Sequence, residues 1–484
     1  MSSNPPAPHV ASAPGRVLPT LNADGSRFVI RPRVAKGRFW KRRAFVAYGL
    51  IALFFALPFV SLNGRPALLI DLAAAELSVL GLVFRPSDGA VLMLFGLTIV
   101  LTVFLVTALF GRVWCGWACP QTVYLEWVYR PIERLIEGGP ERVRALDAQK
   151  GIAPRRVLKY ATFAALSIVV GNVFLAYFVG VERLGEWVTS SPVEHPGGFL
   201  VMAAVSALMM FDFGWFREQT CIVACPYGRL QTVLLDRQST IVAYDSVRGE
   251  PRGKAAKRSA ALAVVEPRGD CVDCGACVAT CPTGIDIRNG LQMECVSCTQ
   301  CIDACDAIMD KLKRPRGLIR YTSKDVLAGK PKKILRPRTM VYPALLAIVG
   351  SLLVWQLRDR PAAEVWVLRN TGAGFAVLGD GRVSSQLPLR VENRTEAPRA
   401  YTVELVDAPM FEQASPRAPI EIAPRSTTVI TLVTLAAPDV FVHGERKVQI
   451  RVRDDAGFEK VVGATLMGPE TGNGNGAAAP GGAP

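Results

Sequence analysis

Apolar positions along this chain gather into five long runs, at 44–64, 89–110, 160–180, 196–211 and 339–357, each free or nearly free of charge. An α-helix rises about 1.5 Å per residue, so roughly 20 apolar residues cross a hydrocarbon core of about 30 Å. The runs therefore predict five transmembrane helices. The fourth is short and stops at Asp212, but Phe213, Trp215 and Phe216 extend it into the interface that aromatic rings favour. Another apolar stretch, 66–84, carries Asp71 and Glu76, which are costly at mid-membrane. It is expected to lie on the outer face, partly embedded, without crossing.

Past 360 the pattern changes to alternation. "LPLRVENR", "AYTVELV", "TTVITLVTL" and "RKVQIRVRD" alternate apolar and polar residues between Pro-, Gly- and Asn-containing turns, which predicts short strands of a β-sandwich over 360–468. The Gly- and Ala-rich stretch 469–484 reads as a flexible tail. The sequon at Asn393 is a three-residue match with little weight. The expected order is an N-terminal segment (1–43), four helices with their connections (44–236), a polar cysteine-rich segment (237–338), a fifth helix (339–357), the β-domain and the tail.

Net charge is +15, a value that in a soluble domain would suggest nucleic acid. Its distribution argues for topology instead. "KGRFWKRR" precedes the first helix, Arg130, Arg134, Arg142, Arg144, Lys150, Arg155, Arg156 and Lys159 lie between the second and third, and "KPKKILRPR" precedes the fifth. The intervening connections hold only Arg65, Arg85 and Arg183 as basic residues. Cytoplasmic loops collect Lys and Arg, so the N-terminus and 237–338 are expected in the cytoplasm and the β-domain outside. No nucleic-acid partner is expected. The first 40 residues carry no cleavable apolar leader, which makes the first helix an anchor.

Twelve cysteines carry the chemistry. Eight lie in "CVDCGACVATCP" (271–282) and "CVSCTQCIDACD" (295–306), each with the C-x2-C-x2-C-x3-C spacing of two-cluster bacterial ferredoxins. In that arrangement the fourth cysteine of each run reaches the other cluster. Cys271, Cys274, Cys277 and Cys305 are then the ligands of one [4Fe–4S] cluster, and Cys295, Cys298, Cys301 and Cys281 those of a second. Structural zinc and disulfides are the alternatives. Asp306 stands where the first run has Pro282, and a carboxylate there tends to lower a cluster's potential.

The other four form two C-x-x-x-C-P motifs, Cys115/Cys119 and Cys221/Cys225, each just past an apolar run and offset by 106 residues. Spacing i, i+4 puts each pair on one face of a helical turn. Together they make a candidate soft site for Cu(I), an iron–sulfur cluster or zinc, or else small packing residues. Arg112 and Arg217 are expected to help deprotonate them. His9, His195 and His443 are the only histidines, and none is placed to hold a haem.

With "TALFGRVWCGWACPQTVYLEW", "IERLIEG", "WFREQTCIVACPYGRLQ" and the 271–305 block together, the chain resembles the FixG/RdxA/CcoG family of cytochrome c oxidase accessory proteins of bacterial inner membranes. The resemblance covers most of the chain, including an immunoglobulin-like C-terminal domain. It implies a cupric reductase that supplies Cu(I) to the copper centre of a cbb(3)-type cytochrome oxidase, with oxidase assembly factors or copper chaperones as partners. A copper role for Cys115, Cys119, Cys221 and Cys225 follows only from that resemblance. The alternative is a membrane electron-transfer subunit carrying electrons from quinol to an outer-face partner. The electron donor is not legible.

Overall fold

The computed structural model describes residues 16–470, apart from 19, 23, 25, 63, 149–152, 254–268, 334, 370–373 and 396. The expected tail beyond 470 and the extreme N-terminal stretch 1–15 lie outside the described residues. The chain divides into two compact units, Met1–Val354 and Trp355–Pro484.

Among the described residues five helices are long and apolar enough to cross a membrane: Arg38–Phe59, Pro86–Phe110, Pro154–Val179, Pro196–Phe216 and Pro337–Arg358, the last running from the first unit into the second. Four begin at proline, whose missing N–H costs nothing at a first helical position. The first begins earlier than its apolar run, because a carboxylate from elsewhere in the chain caps it. Asp303 accepts the Phe39 and Trp40 amides at 3.1 and 2.7 Å, satisfying orphan donors at the positive end of the helix. The basic run is therefore helical. The fourth ends in a π-helical turn, Asp212–Phe216, which carries the three aromatic residues.

The stretch 66–84 is no helix. Its strands Leu68–Asp71, Glu76–Val79 and Leu82–Phe84 form an antiparallel meander, and Glu76 pairs with Arg65 and Arg85. Between the second and third long helices the chain makes short helices at Val113–Trp117, Pro120–Tyr124, Arg130–Glu137 and Pro140–Ala148.

The cysteine-rich segment is framed by an antiparallel pair, Ile241–Tyr244 with Ile319–Thr322. Between these strands lie the helices Ala276–Ala279 and Gln300–Lys311. Val242, Ile285, Ile302, Met309, Leu318 and Ile319 form their buried apolar core.

The second unit is a two-sheet β-structure. One sheet runs Ala363–Val367, Val383–Asn393, Thr427–Ala436, Glu412–Ser415, with Phe375–Val377 also on the second strand; the other runs Ile420–Ile422, Arg399–Val406, Glu445–Asp454, Glu459–Met467. Leu389, Val391, Tyr401, Leu432, Ile450 and Val452 fill its core. The four strands read from alternation all form. The additional ones are short or, like Glu459–Met467, interrupted by Gly463, which hides the two-residue period.

Candidate metal centre

The two cysteine runs fold as repeats of one backbone design. Two residues after the first cysteine of each, Asp273 and Ser297 take φ of 51° and 53°; four residues after, Gly275 and Thr299 take 66° and 62° and start a helix. Left-handed backbone at three non-glycine positions carries a local energetic cost. It turns the chain so that sulfurs three positions apart face inward.

They face two cavities. One is lined by Cys271, Cys274, Cys277 and Cys305, with Tyr244 and Arg288. The other is lined by Cys281, Cys295, Cys298 and Cys301, with Cys277 where the two meet. Among the described residues no three His, Cys, Asp or Glu side chains converge on one ion position. A tetrahedral zinc gathers four sulfurs at about 2.3 Å around one point, whereas an iron–sulfur cube needs sulfurs spread around its corners. The donor set and the cavities fit the cube. Burial pushes Cys277 and Cys295 up to about 11 and Cys298 and Cys305 up to about 12. Such thiols ionise when a metal replaces their protons.

The C-x-x-x-C-P motifs are also structural repeats, but neither pair lies on one continuous helix. Cys119 and Cys225 are helix N-caps with extended backbone (ψ 126° and 111°), and Pro120 and Pro226 open the next helices. Proline disfavours helical geometry in the residue before it, so the helix stops at the second cysteine. Burial raises the Cys115, Cys119 and Cys221 thiols, and neighbouring thiols add to it, Cys221 feeling Cys119, Cys115 and Cys225; the structure thus brings both pairs together. Gln231 donates to Cys115 Sγ at 3.3 Å.

The expected ionising role of two arginines holds for one. Burial pushes Cys115 up to about 11, and Arg112 opposes this without outweighing it. Arg217 turns instead to Glu133, bonding it through both Nη atoms at 3.1 and 2.8 Å. It belongs to a buried ion network with Arg130, Lys159, Glu126, Glu137 and Glu218. Arg130 also donates to the Pro282 carbonyl at 3.3 Å, tying the bundle to the chain beside Cys281.

The thiol quartet and the second cavity share a wall. A Cβ on Gly116, between Cys115 and Cys119, would lie 2.6 and 2.7 Å from the Val296 and Ser297 carbonyls, so only glycine permits this approach. Arg112 donates to the Met293 carbonyl, to Cys295 O at 3.2 Å and to Gly228 O at 3.1 Å. Arg43 donates through Nε to Gly116 O at 2.9 Å, and Trp117 Nε1 donates to the Tyr321 hydroxyl at 3.0 Å. Sequence reasoning missed Gly116, Arg43, Gln231 and Tyr321. Only Gly116, inside a motif, had a visible signal.

Comparison with known proteins agrees with these parts. Residues 216–324 match the 4Fe-4S dicluster domain family, 92–137 a 4Fe-4S binding domain family, and 353–469 the IG-like fold at the C-terminal of FixG. Protein RdxA of Cereibacter sphaeroides is 35% identical over 396 residues, covering 78% of this chain and 81% of its own. Nitrogen fixation protein FixG of Rhizobium meliloti is 31% identical over 487 residues, 90% of this chain and 91% of its own. A crystal structure of a FixG-related protein from Vibrio parahaemolyticus matches 22% of this chain and 96% of that one, at 18% identity and a TM-score of 0.20. Carrying iron–sulfur domains beside a bundle of apolar helices and an IG-like domain, the chain belongs to the FixG/RdxA family.

Proposed function

We propose that this protein is a bacterial inner-membrane cupric reductase that supplies Cu(I) for maturation of cbb(3)-type cytochrome oxidase. The observation that carries this reading is the shared wall between the second cysteine cavity and the thiol quartet, at Gly116 against Val296 and Ser297.

Cys271, Cys274, Cys277 and Cys305 hold one [4Fe–4S] cluster, and Cys281, Cys295, Cys298 and Cys301 the second. Bound there, the clusters supply single electrons. Copper is the substrate at Cys115, Cys119, Cys221 and Cys225. Thiolates prefer soft Cu(I) to Cu(II), so a copper ion reduced beside them is also retained. Burial keeps Cys115, Cys119 and Cys221 protonated, so copper uptake releases protons. The apolar core packs around the cavities and shields the second from water. Positive-inside charge puts this end of the bundle in the cytoplasm and the β-domain in the periplasm, where assembly factors or copper chaperones would dock.

One observation favours a second reading. The 4Fe-4S binding domain match over 92–137 includes Cys115 and Cys119, which suits a third cluster held by the quartet.

The double variant Cys115→Ala/Cys221→Ala separates these readings. Loss of Cu(II) reduction and Cu(I) binding with wild-type iron supports the copper site. A fall of about four iron atoms per chain supports a third cluster. Undiminished copper reduction with wild-type iron contradicts both.

A further inference from the structure

We propose that Arg43 and Arg112 poise the site of Cys281, Cys295, Cys298 and Cys301 at a higher reduction potential than the site of Cys271, Cys274, Cys277 and Cys305. The inference rests on the iron–sulfur reading above and adds which site holds the electron.

Both guanidinium groups are deeply buried, at 1% and 5% exposure. Among the described residues Arg43 bonds only through Nε, to Gly116 O, and its two Nη atoms are buried without a protein hydrogen-bond partner. Its face lies 5.7 Å from the Trp127 ring, and its field reaches Cys298. Arg112 lies between the two thiol groups, within reach of both Cys295 and Cys115, with Glu294 as a nearby acidic group. The Ser297 and Gln300 backbone amides oppose the effect of burial on the Cys295 and Cys298 thiols. Asp303, between Cys301 and Cys305 in sequence, spends its charge on the first helix.

The other site has the opposite surroundings. Asp306 acts on Cys305; its carboxylate accepts the Gly317 amide at 3.0 Å, and Arg316 lies within reach of its charge. Arg288, beside Cys277, is already paired with Asp286 and Asp273. Cys274 is exposed, so water reaches this site.

One-electron reduction makes either site one charge more negative. Buried cations and N–H donors favour that form; carboxylates oppose it. Arg43 and Arg112 therefore hold the electron at the site against the thiol quartet, and the exposed Cys274 side is where a donor reaches the chain.

EPR-monitored redox titration of the anaerobically purified full chain in detergent tests this. Arg112→Gln should lower the higher of two potentials by about tenfold in the reduction equilibrium, about 59 mV for one electron, and leave the lower unmoved. Arg112→Lys should restore it. Asp306→Asn should raise the lower potential alone. If Arg112→Gln loses iron, Arg43→Gln and Asp306→Asn decide by the same criterion. The proposal is overturned if the arginine and aspartate variants move the same potential, or if the arginine variants move neither while iron is retained. A wild-type protein without iron overturns the iron–sulfur reading itself, an outcome distinct from a reversed order of potentials.

Discussion

Arg43 stands in a run with Lys36, Arg38, Lys41 and Arg42, and those four are exposed while it is buried. As a group the run reads as the basic flank of an apolar helix, and that reading hides the one member aimed inward. Arg130 and Lys159 were absorbed in the same way and are buried ion-network members. Charge counts report topology; only packing reports which cation is withheld from water. Glu133 illustrates what the network does. Burial works to raise its carboxyl, but Arg217, Lys159 and Arg130 outweigh this and hold it at about 2. Because the folded value lies below the unfolded one of about 4.3, the ionised carboxylate stabilises the fold above that pH. The stabilisation disappears as pH falls towards 2, and is on the order of a few kcal/mol. Glu133→Gln should therefore lower thermal stability at pH 7 and lose that deficit on acidification. An equal deficit at pH 7 and pH 3 would contradict the ion-pair account.

Elements were legible where their period was uninterrupted. The apolar runs located five helices, yet the first starts at Arg38 because Asp303, some 260 residues away, caps it. No local pattern contains that contact. Likewise the i, i+4 cysteine spacing suggested one helical face, but Pro120 and Pro226 break the helix at Cys119 and Cys225. The β-domain shows the same limit, since Asn393 looked like a sequon and is fully buried. Its Nδ2 donates towards the carbonyls of Ala397, Ile422 and Ala423, joining the strand Val383–Asn393 to the other sheet. Asn393→Ala would remove these bonds while Ala397 O and Ala423 O keep donors in Thr395 and Ser426, at a cost on the order of 2 kcal/mol. Thermal unfolding of the purified chain, read by proteolysis within 360–468, should shift to lower temperature. Unchanged protection would show that the amide does not hold the sheets together.

At the scale of the whole molecule, cysteine spacing made the iron–sulfur parts legible because cluster geometry permits few spacings. Hidden from the sequence was which cavity adjoins the C-x-x-x-C-P quartet, since that depends on Gly116 meeting Val296 and Ser297 across roughly 180 residues. That contact joins the iron–sulfur domain to the thiol site, and electron supply through it requires that the two cavities hold clusters. Iron and acid-labile sulfide in anaerobically purified protein test this most directly. Two cubes predict about eight iron and eight sulfide per chain; stoichiometric zinc with almost no iron would contradict the account.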